Sequence, residues 1–159
     1  MNADAPFSPT PGRPVPRDDG SHWVLVADEG VAHLLRLPEA AGDLEAQHTL
    51  TDAAAHADKA DLRRDAEGRR GGSTTTSAGL DESHEEARGF AARVAQALDE
   101  ALEAGRFRTL DLVAAPRFLG LLRKALSTRV AAAVTREQAL DLVHEKPHEL
   151  TARLFPRRH

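Results

Sequence analysis

The strongest structural signal in the sequence is a long amphipathic helix predicted over residues 81–103, which follows a loop rich in glycine and arginine. Apolar side chains recur there at helical spacing, and charged and amide side chains occupy the opposite face. The predicted buried face consists of Ala87, Phe90, Ala91, Val94, Leu98, Ala101 and Leu102. Ser83 and Glu86 match an S-x-x-E capping box, which predicts the start of the helix, and Gly105 predicts the turn after its end.

Three short β-type runs precede this helix. They are Trp23–Asp28, Val31–Leu37 and Asp43–Leu50, and turn-forming residues separate them. The first run is apolar on both faces, which predicts a central strand, whereas the third alternates and predicts one wetter face. Connections this short indicate an antiparallel meander.

A second α/β unit follows the long helix. It consists of a strand at Thr109–Ala115, a helix at Pro116–Thr128, a strand at Val130–Thr135 and a terminal helix opened by Pro147. A strand, a helix and a further strand in this order predict a parallel pairing with a right-handed crossover. The fold class expected is therefore α/β, with a mixed sheet of about five strands, an antiparallel meander plus parallel strands, and helices packed on it.

Length and composition limit the chain to one core. Its 159 residues and apolar fraction of 41% are sufficient for a single domain, which we place at residues 21–156. Residues 1–20 contain five prolines and little apolar surface, so we expect a disordered leader. Residues 51–80 form a long connection of small and charged residues, which we expect to be a flexible loop, and residues 157–159 form a basic tail.

Charge and cysteine content exclude several classes of function. The formal net charge of −4 gives no overall field that would draw the molecule onto DNA or an acidic membrane. The absence of cysteine excludes disulfides and thiolate chemistry. Because no apolar run is long enough to span a membrane, we expect a cytoplasmic protein.

Several catalytic motifs fail on local geometry. His144 and His148 match H-E-x-x-H, but Pro147 between them interrupts the single helix that a zinc site of this kind requires. Gly72-Ser73 lacks the second glycine of a hydrolase elbow, and the same loop lacks the lysine of a phosphate-binding loop. We therefore predict no catalytic residues, no metal and no cofactor.

A magnesium-dependent nuclease would need several converging carboxylates. Asp28 and Asp111 are the acidic side chains on or at the end of predicted strands. Asp28 is equally consistent with the polar turn that follows a strand. Two carboxylates are too few for such a site, so we do not predict a nuclease.

Two groups of residues are candidates for binding. The first is the loop Arg69, Arg70, Gly71, Gly72 and Ser73, where the glycines would allow a close approach to a ligand. A loop of this composition is also typical of a flexible linker, and Asp65 and Glu67 could neutralise its arginines.

The second group is a basic surface on the C-terminal half. It consists of Arg117, Arg123, Lys124 and Arg129. The long helix, in contrast, carries seven acidic residues and two arginines, a net charge of −5 that would repel nucleic acid. An acidic helix of this kind is usually a solvated face.

The sequence also resembles a known family. The segments VLVADEGVAHLLRL, HEEARGFAARVAQALDEALEAGRF and LDLVAAPRFLGLLRKAL, with the charged loop between the first two, are similar to the bacterial host-attachment proteins. The resemblance covers Trp23 to Leu154, and residues 112–120, LVAAPRFLG, are its most specific part.

The order of elements is also similar to the middle domain of archaeal and eukaryotic peptide-chain release factors, which has a ribonuclease H-like fold. In those factors a Gly-Gly-Gln loop precedes the long helix, whereas this sequence has Ser73 after its two glycines. The resemblance implies a non-enzymatic binding module, with the ribosome or structured RNA as its expected partner. The alternative is an ester hydrolase acting on peptidyl-tRNA, with Ser73 or His84 near the loop.

Overall fold

The computed structural model describes residues 11–39, 41–52 and 76–156, and the side chains of residues 76–81 are outside this description. Its five strands are β1 (His22–Ala27), β2 (Val31–Arg36), β3 (Glu45–Thr51), β4 (Thr109–Ala114) and β5 (Val134–Ala139). Its helices are α1 (Thr76–Glu103), α2 (Pro116–Ala125), α3 (Thr128–Ala133) and α4 (Pro147–Leu154).

The strands form one mixed sheet in the order β3-β2-β1-β4-β5. β1 pairs antiparallel with β2 and β2 with β3, whereas β1 and β5 both run parallel to β4. All six residues of β1 are buried. The predictions of a mixed five-stranded sheet, an antiparallel meander and a central first strand are therefore confirmed. We call the end of the sheet where β1 and β4 finish the carboxyl edge and the opposite end the amino edge.

Each face of the sheet has its own apolar core. On one face α1 and α2 cover Leu25 and Leu112, and Phe90 of α1 meets Phe118 of α2 with ring centroids 5.7 Å apart. On the other face Val24 and its neighbours pack under α4 and the chain that precedes it. Alternate residues of β1 and β4 face the two cores, because successive side chains of a strand point to opposite sides.

The long helix begins earlier than its capping signal indicates. α1 starts at Thr76, so Ser83 and Glu86 lie inside the helix and the predicted capping box is wrong. Residues 76–80 contain no proline, and helix formation extends through them ahead of the buried face. The other end is confirmed: Gly105 has a φ of 76°, its N–H donates to the Leu102 carbonyl at 3.0 Å, and Arg106 donates to Ala101 at 2.9 Å. This pair of bonds is the Schellman motif.

The last strand lies later in the chain than predicted. Residues 130–133 belong to α3, and β5 begins only at Val134. Ser127 caps this helix by accepting a hydrogen bond from the Val130 N–H at 3.2 Å, and the alanines that follow favour a helix over a strand. The helices opened by Pro116 and Pro147 are confirmed, although α2 ends at Ala125 rather than Thr128.

Residues 11–20, from the second half of the predicted leader, run towards β1 in turns and irregular structure. Arg13 among them donates to the carbonyls of Ala131 and Val134, at 3.0 and 3.4 Å. Of the helices described, none combines the length and the apolar content that crossing a membrane requires.

Candidate functional site

The chain leaves the sheet at the carboxyl edge, after β3, and residues 53–75 follow. Asp52, directly after β3, is only 5% exposed, and its N–H donates to the Gly30 carbonyl at 3.0 Å. Its carboxylate accepts a hydrogen bond from Arg93 of α1 at 3.4 Å, and the Arg93 guanidinium lies 5.1 Å from the centre of the Phe90 ring. Asp52 therefore ties the end of β3 both to the β1–β2 turn and to α1.

The other end of this segment is the start of α1. The helix has 28 residues, about 42 Å, whereas a six-residue strand spans about 20 Å. Among its described side chains, Ala87 is the first to be buried, and those before it, from Glu82 to Glu86, are exposed or partly exposed. Because α1 connects through a short turn to the amino-edge end of β4, its early residues extend past the carboxyl edge.

Arg117 connects three elements at this edge. It lies in the first turn of α2, with Nη2 3.5 Å from Nδ1 of His84 on α1. Its Nε lies 3.7 Å from the carboxylate of Glu29 in the β1–β2 turn. Asp28 of the same turn accepts hydrogen bonds from the N–H groups of Gly30 and Val31 at 2.8 and 2.9 Å, which confirms its assignment as a turn residue.

The first predicted binding group lies outside the described residues. It comprises Arg69, Arg70, Gly71, Gly72 and Ser73. The structure nevertheless locates the two points from which this segment departs, Asp52 and Thr76, at the carboxyl-edge end of the molecule. No sequence pattern indicates the contacts of Asp52 with Arg93 or of Arg117 with Glu29, because they join residues far apart in the chain.

The second predicted group is described in full, and its arginines lie beside carboxylates. Arg123 is 2.6 Å from Glu137, and Arg129 is 3.0 Å from Asp99 and 3.6 Å from Glu103. With Arg117 beside Glu29, every arginine of the group has an acidic neighbour. Lys124 has no ion pair within the described part of the chain. The positive potential of this surface is therefore reduced by its own acidic neighbours.

Asp99 connects α1 to α3. Its carboxylate accepts hydrogen bonds from Ser127 at 2.7 Å and from Arg129 at 3.0 Å. The Ser127 bond, followed by the Arg129 bond, lowers the pKa of Asp99 below its ordinary value. One of the acidic residues of the long helix thus has a defined packing role.

Asp28 and Asp111 do not converge. Asp111 is opposite Val24 in the β1–β4 register, and Asp28 lies four residues further along, a separation of about 13 Å along the strand. Within residues 11–39, 41–52 and 76–156, acidic and histidine side chains form no cluster able to hold a metal ion. The two candidate zinc histidines are also separated, since α4 begins at Pro147, after His144.

Asp111 instead forms a buried ion pair with Arg136. Nε of Arg136 lies 2.7 Å from the Asp111 carboxylate, which is fully buried, and Nη2 donates to the Leu154 carbonyl at 3.1 Å. The Arg136 guanidinium is also 5.5 Å from the centre of the Phe155 ring. Burial raises the pKa of Asp111 to about 6, although the Arg136 charge acts in the opposite direction.

His22 lies close to this pair and is fully buried. Its Nδ1 is 2.8 Å from the Thr109 hydroxyl, and its ring meets Phe155 edge-on at 6.0 Å. Burial, with a smaller contribution from the Arg136 charge, lowers the pKa of His22 to about 3. These groups lie beneath α4, away from any open surface, and their role is structural.

The architecture defines a one-sheet α/β protein whose charged groups at the carboxyl edge are held in ion pairs. The family described as "Protein required for attachment to host cells" matches residues 23–154, and the chain belongs to that family. The resemblance found in the sequence is therefore confirmed for the family. No curated protein sequence matches the chain.

Proposed function

We propose that this member of the host-attachment family is a non-enzymatic binding protein for a phosphate-rich partner, the ribosome or structured RNA. Contact would be made by Arg69, Arg70 and the glycines that follow them. Positive charge beside glycines, which allow a close approach of the backbone, suits a ligand whose phosphates are spread over a large surface.

The observation that carries this proposal is the attachment of both ends of the segment at the carboxyl edge. Asp52 is fixed by Gly30 and Arg93, and α1 extends past the sheet before Ala87, the first of its described side chains to be buried. Partner binding there would require no rearrangement of the described fold.

Arg117 is a described basic residue of the carboxyl edge that could add to such a contact. Its side chain is 54% exposed, and its neighbour Glu29 is 3.7 Å away, a distance at which an ion pair is weak and easily exchanged for a phosphate. Arg123 and Arg129 are bound more closely to their carboxylates, so we expect them to contribute less.

Co-sedimentation of the purified protein with ribosomes over a salt series tests the proposal. Replacing Arg69 and Arg70 by glutamine should reduce the bound fraction at low salt and flatten its salt dependence, because fewer counterions are released. The matched control replaces Arg106 and Arg108, two exposed arginines at the amino edge, and should bind like the unchanged protein. Equal loss in both variants, or no co-sedimentation at low salt, would contradict the proposal.

One structural observation bears on the alternative function, peptidyl-tRNA hydrolysis: His84 lies at the carboxyl edge beside Arg117. It predicts release of the peptide from peptidyl-tRNA by the purified protein. Turnover that disappears in Ser73→Ala or His84→Ala would favour the hydrolase over the binding module.

A further inference from the structure

An open groove of about 720 Å³ lies at the amino edge, between the C-terminal half of α1 and strands β1 to β3. Trp23 and Leu34 contribute to its sheet side, and Ala97, Ala101 and Ala104 contribute its helix side. Its volume falls within the range of small-molecule sites. It is separate from the carboxyl edge, at the other end of the same sheet, so it is independent of the function proposed above.

Small helix residues keep the groove open. Ala97 and Ala101 are four residues apart on one face of α1, and Ala104, directly after the helix, continues this alanine stripe along the groove. Elsewhere the buried face of this helix carries Phe90, Val94 and Leu98, which fill the space above the strands. At the amino edge this side of the helix offers methyl groups with Glu100 beside them, and the groove lies between these groups and the Trp23 end of the sheet.

A β-bulge in β3 supplies polar groups to the same space. Leu34 pairs with His48 but Leu35 pairs with Ala46, so Gln47 is an extra residue on β3. Neighbouring residues of a regular strand point to opposite faces, yet Gln47 and His48 both line the groove. The bulge therefore directs two hydrogen-bonding side chains to one place.

The charges at the groove leave one cation available. Arg36 is paired with Glu45 at 2.7 Å. Arg106 also lines the groove, is exposed, and has no ion pair in the part of the chain that the structure describes. Glu100, the acidic side chain on the helix side, accepts a hydrogen bond from Gln96 at 3.2 Å. Glu100 has no ion pair among the described residues either, so the lining carries one unpaired charge of each sign, on Arg106 and on Glu100.

The Trp23 indole provides a second observation. Trp23 is 4% exposed, and its Nε1 is buried without a hydrogen-bond partner among the described residues. A buried donor left unsatisfied costs about 1–3 kcal/mol, and such groups in native proteins call for an explanation. Its ring packs against Phe107 at a centroid distance of 5.2 Å, and at 4% exposure only a small part of it reaches the groove.

We propose that this groove binds a small molecule with a flat apolar body and one anionic group, either a carboxylate or a phosphate. The apolar body would lie between the Trp23 side of the sheet and the alanine stripe. The anionic group would meet Arg106, with His48 as a further hydrogen-bonding partner, because the Gln47 amide nitrogen already donates to the carbonyls of Glu45 and Ala46 at 3.2 and 3.3 Å.

Intrinsic fluorescence tests this proposal directly, because Trp23 is the single tryptophan and the chain has no tyrosine. The probe is 8-anilino-1-naphthalenesulfonate, which accepts energy from tryptophan, and its neutral counterpart is N-phenyl-1-naphthylamine. In the folded protein, the fluorescence of Trp23 should be quenched at a lower concentration of the sulfonate than of the neutral compound. Arg106→Gln should weaken sulfonate binding about fivefold, the effect of one partly exposed charge pair, and should leave the neutral compound unchanged.

Two matched controls separate the groove from general adsorption. Arg108→Gln removes a nearby exposed arginine outside the lining and should bind like the unchanged protein. Ala97→Phe should fill the groove and weaken both probes, whereas Ala92→Phe, on an exposed part of α1, should weaken neither. Circular dichroism establishes that each variant is folded before titration.

Competition identifies the chemical class of ligand. Displacement of the sulfonate by phenylacetate or by phenyl phosphate, but not by benzyl alcohol, would support the proposal and show which anion the groove prefers. Equal displacement by benzyl alcohol would overturn it. Equal sulfonate binding by wild type, Arg106→Gln and Ala97→Phe would overturn it as well.

Discussion

Arg136 lies directly opposite Asp111 because of an extra residue in β5. Leu110 pairs with Val134 and Asp111 pairs with Arg136, so Thr135 is bulged out of the register. Without this bulge the buried carboxylate would face Thr135 instead of a cation. The bulge thus brings together the only two opposite charges that the described residues bury this deeply.

Breaking this pair should destabilise the protein strongly. Arg136→Met leaves the Asp111 carboxylate buried without its cation, and we expect a loss of about 3–5 kcal/mol in the free energy of unfolding. The double variant Asp111→Leu and Arg136→Met removes both charges and should recover most of that loss. Urea denaturation followed by Trp23 fluorescence measures both values, and a double variant no more stable than the single one would contradict this account.

The pH dependence of stability should contain two opposing contributions near this pair. The pKa of Asp111 is raised from 3.8 to about 6, so the folded state binds this proton more tightly than the unfolded state does. Protonated Asp111 therefore adds to the free energy of unfolding at low pH, and this addition is lost as pH rises from about 4 to 6. The pKa of His22 is lowered from 6.5 to about 3, so the unfolded state binds that proton more tightly, and stability falls as pH falls below 6.5.

Single variants should separate these contributions. Relative to the unchanged protein, His22→Gln should gain stability as pH falls from 6 to 4, by up to about 1.4 kcal/mol per pH unit. Asp111→Asn should show the opposite trend over the same range. Urea denaturation at a series of pH values checks both, and two variants that parallel the wild type throughout would contradict the assignment.

The cap of α3 should have a measurable effect on stability. Ser127→Ala removes the acceptor for the Val130 N–H and the donor to Asp99, so we expect a loss of about 1–2 kcal/mol. Thr128→Ala, at the exposed first residue of the helix, is the matched control and should change stability by less than about 0.5 kcal/mol. Thermal unfolding of both variants measures the difference.

Two glycines near α1 should respond in opposite directions to the same substitution. Gly89 lies on an exposed part of the helix, and a Cβ there would meet nothing within 4 Å, so Gly89→Ala should stabilise the protein by about 0.5–1 kcal/mol. Gly105 has a φ of 76°, which disfavours alanine, so Gly105→Ala should destabilise it by about 1 kcal/mol. Changes of the same sign in both variants would contradict this interpretation of the helix end.

Most of the fold could be predicted from the sequence because the spacing of apolar residues shows which face of an element is buried. β1 is apolar on both faces, and the buried face of α1 recurs at helical spacing, so both elements were recognised. β5 was misplaced because it carries Arg136 and Glu137 and resembles a loop, whereas the short apolar run that starts at Val130 was interpreted as a strand. The start of α1 at Thr76 lies before the apolar pattern begins, so the spacing of apolar residues could not predict it.

The candidate sites were less predictable, since they depend on contacts between distant residues. Arg117 was identified as basic, but its neighbours Glu29 and His84 become visible only when the β1–β2 turn, α1 and α2 are assembled. Asp111 was considered as a metal ligand because its partner lies 25 residues away across a bulged parallel register. The groove arises where the alanines of α1 lie opposite the Trp23 end of the sheet. The spacing of apolar residues describes each element by itself, so it does not predict that these two parts meet.

The bulge at Gln47 also matters for how copies of this molecule behave in concentrated solution. β3 is the last strand of the sheet, and an edge of regular backbone would offer a template for another chain to add to. The extra residue interrupts the even spacing of amide and carbonyl groups and leaves only short regular stretches on either side of it. The same irregularity that places two polar side chains in the groove therefore protects the protein against fibrillar aggregation.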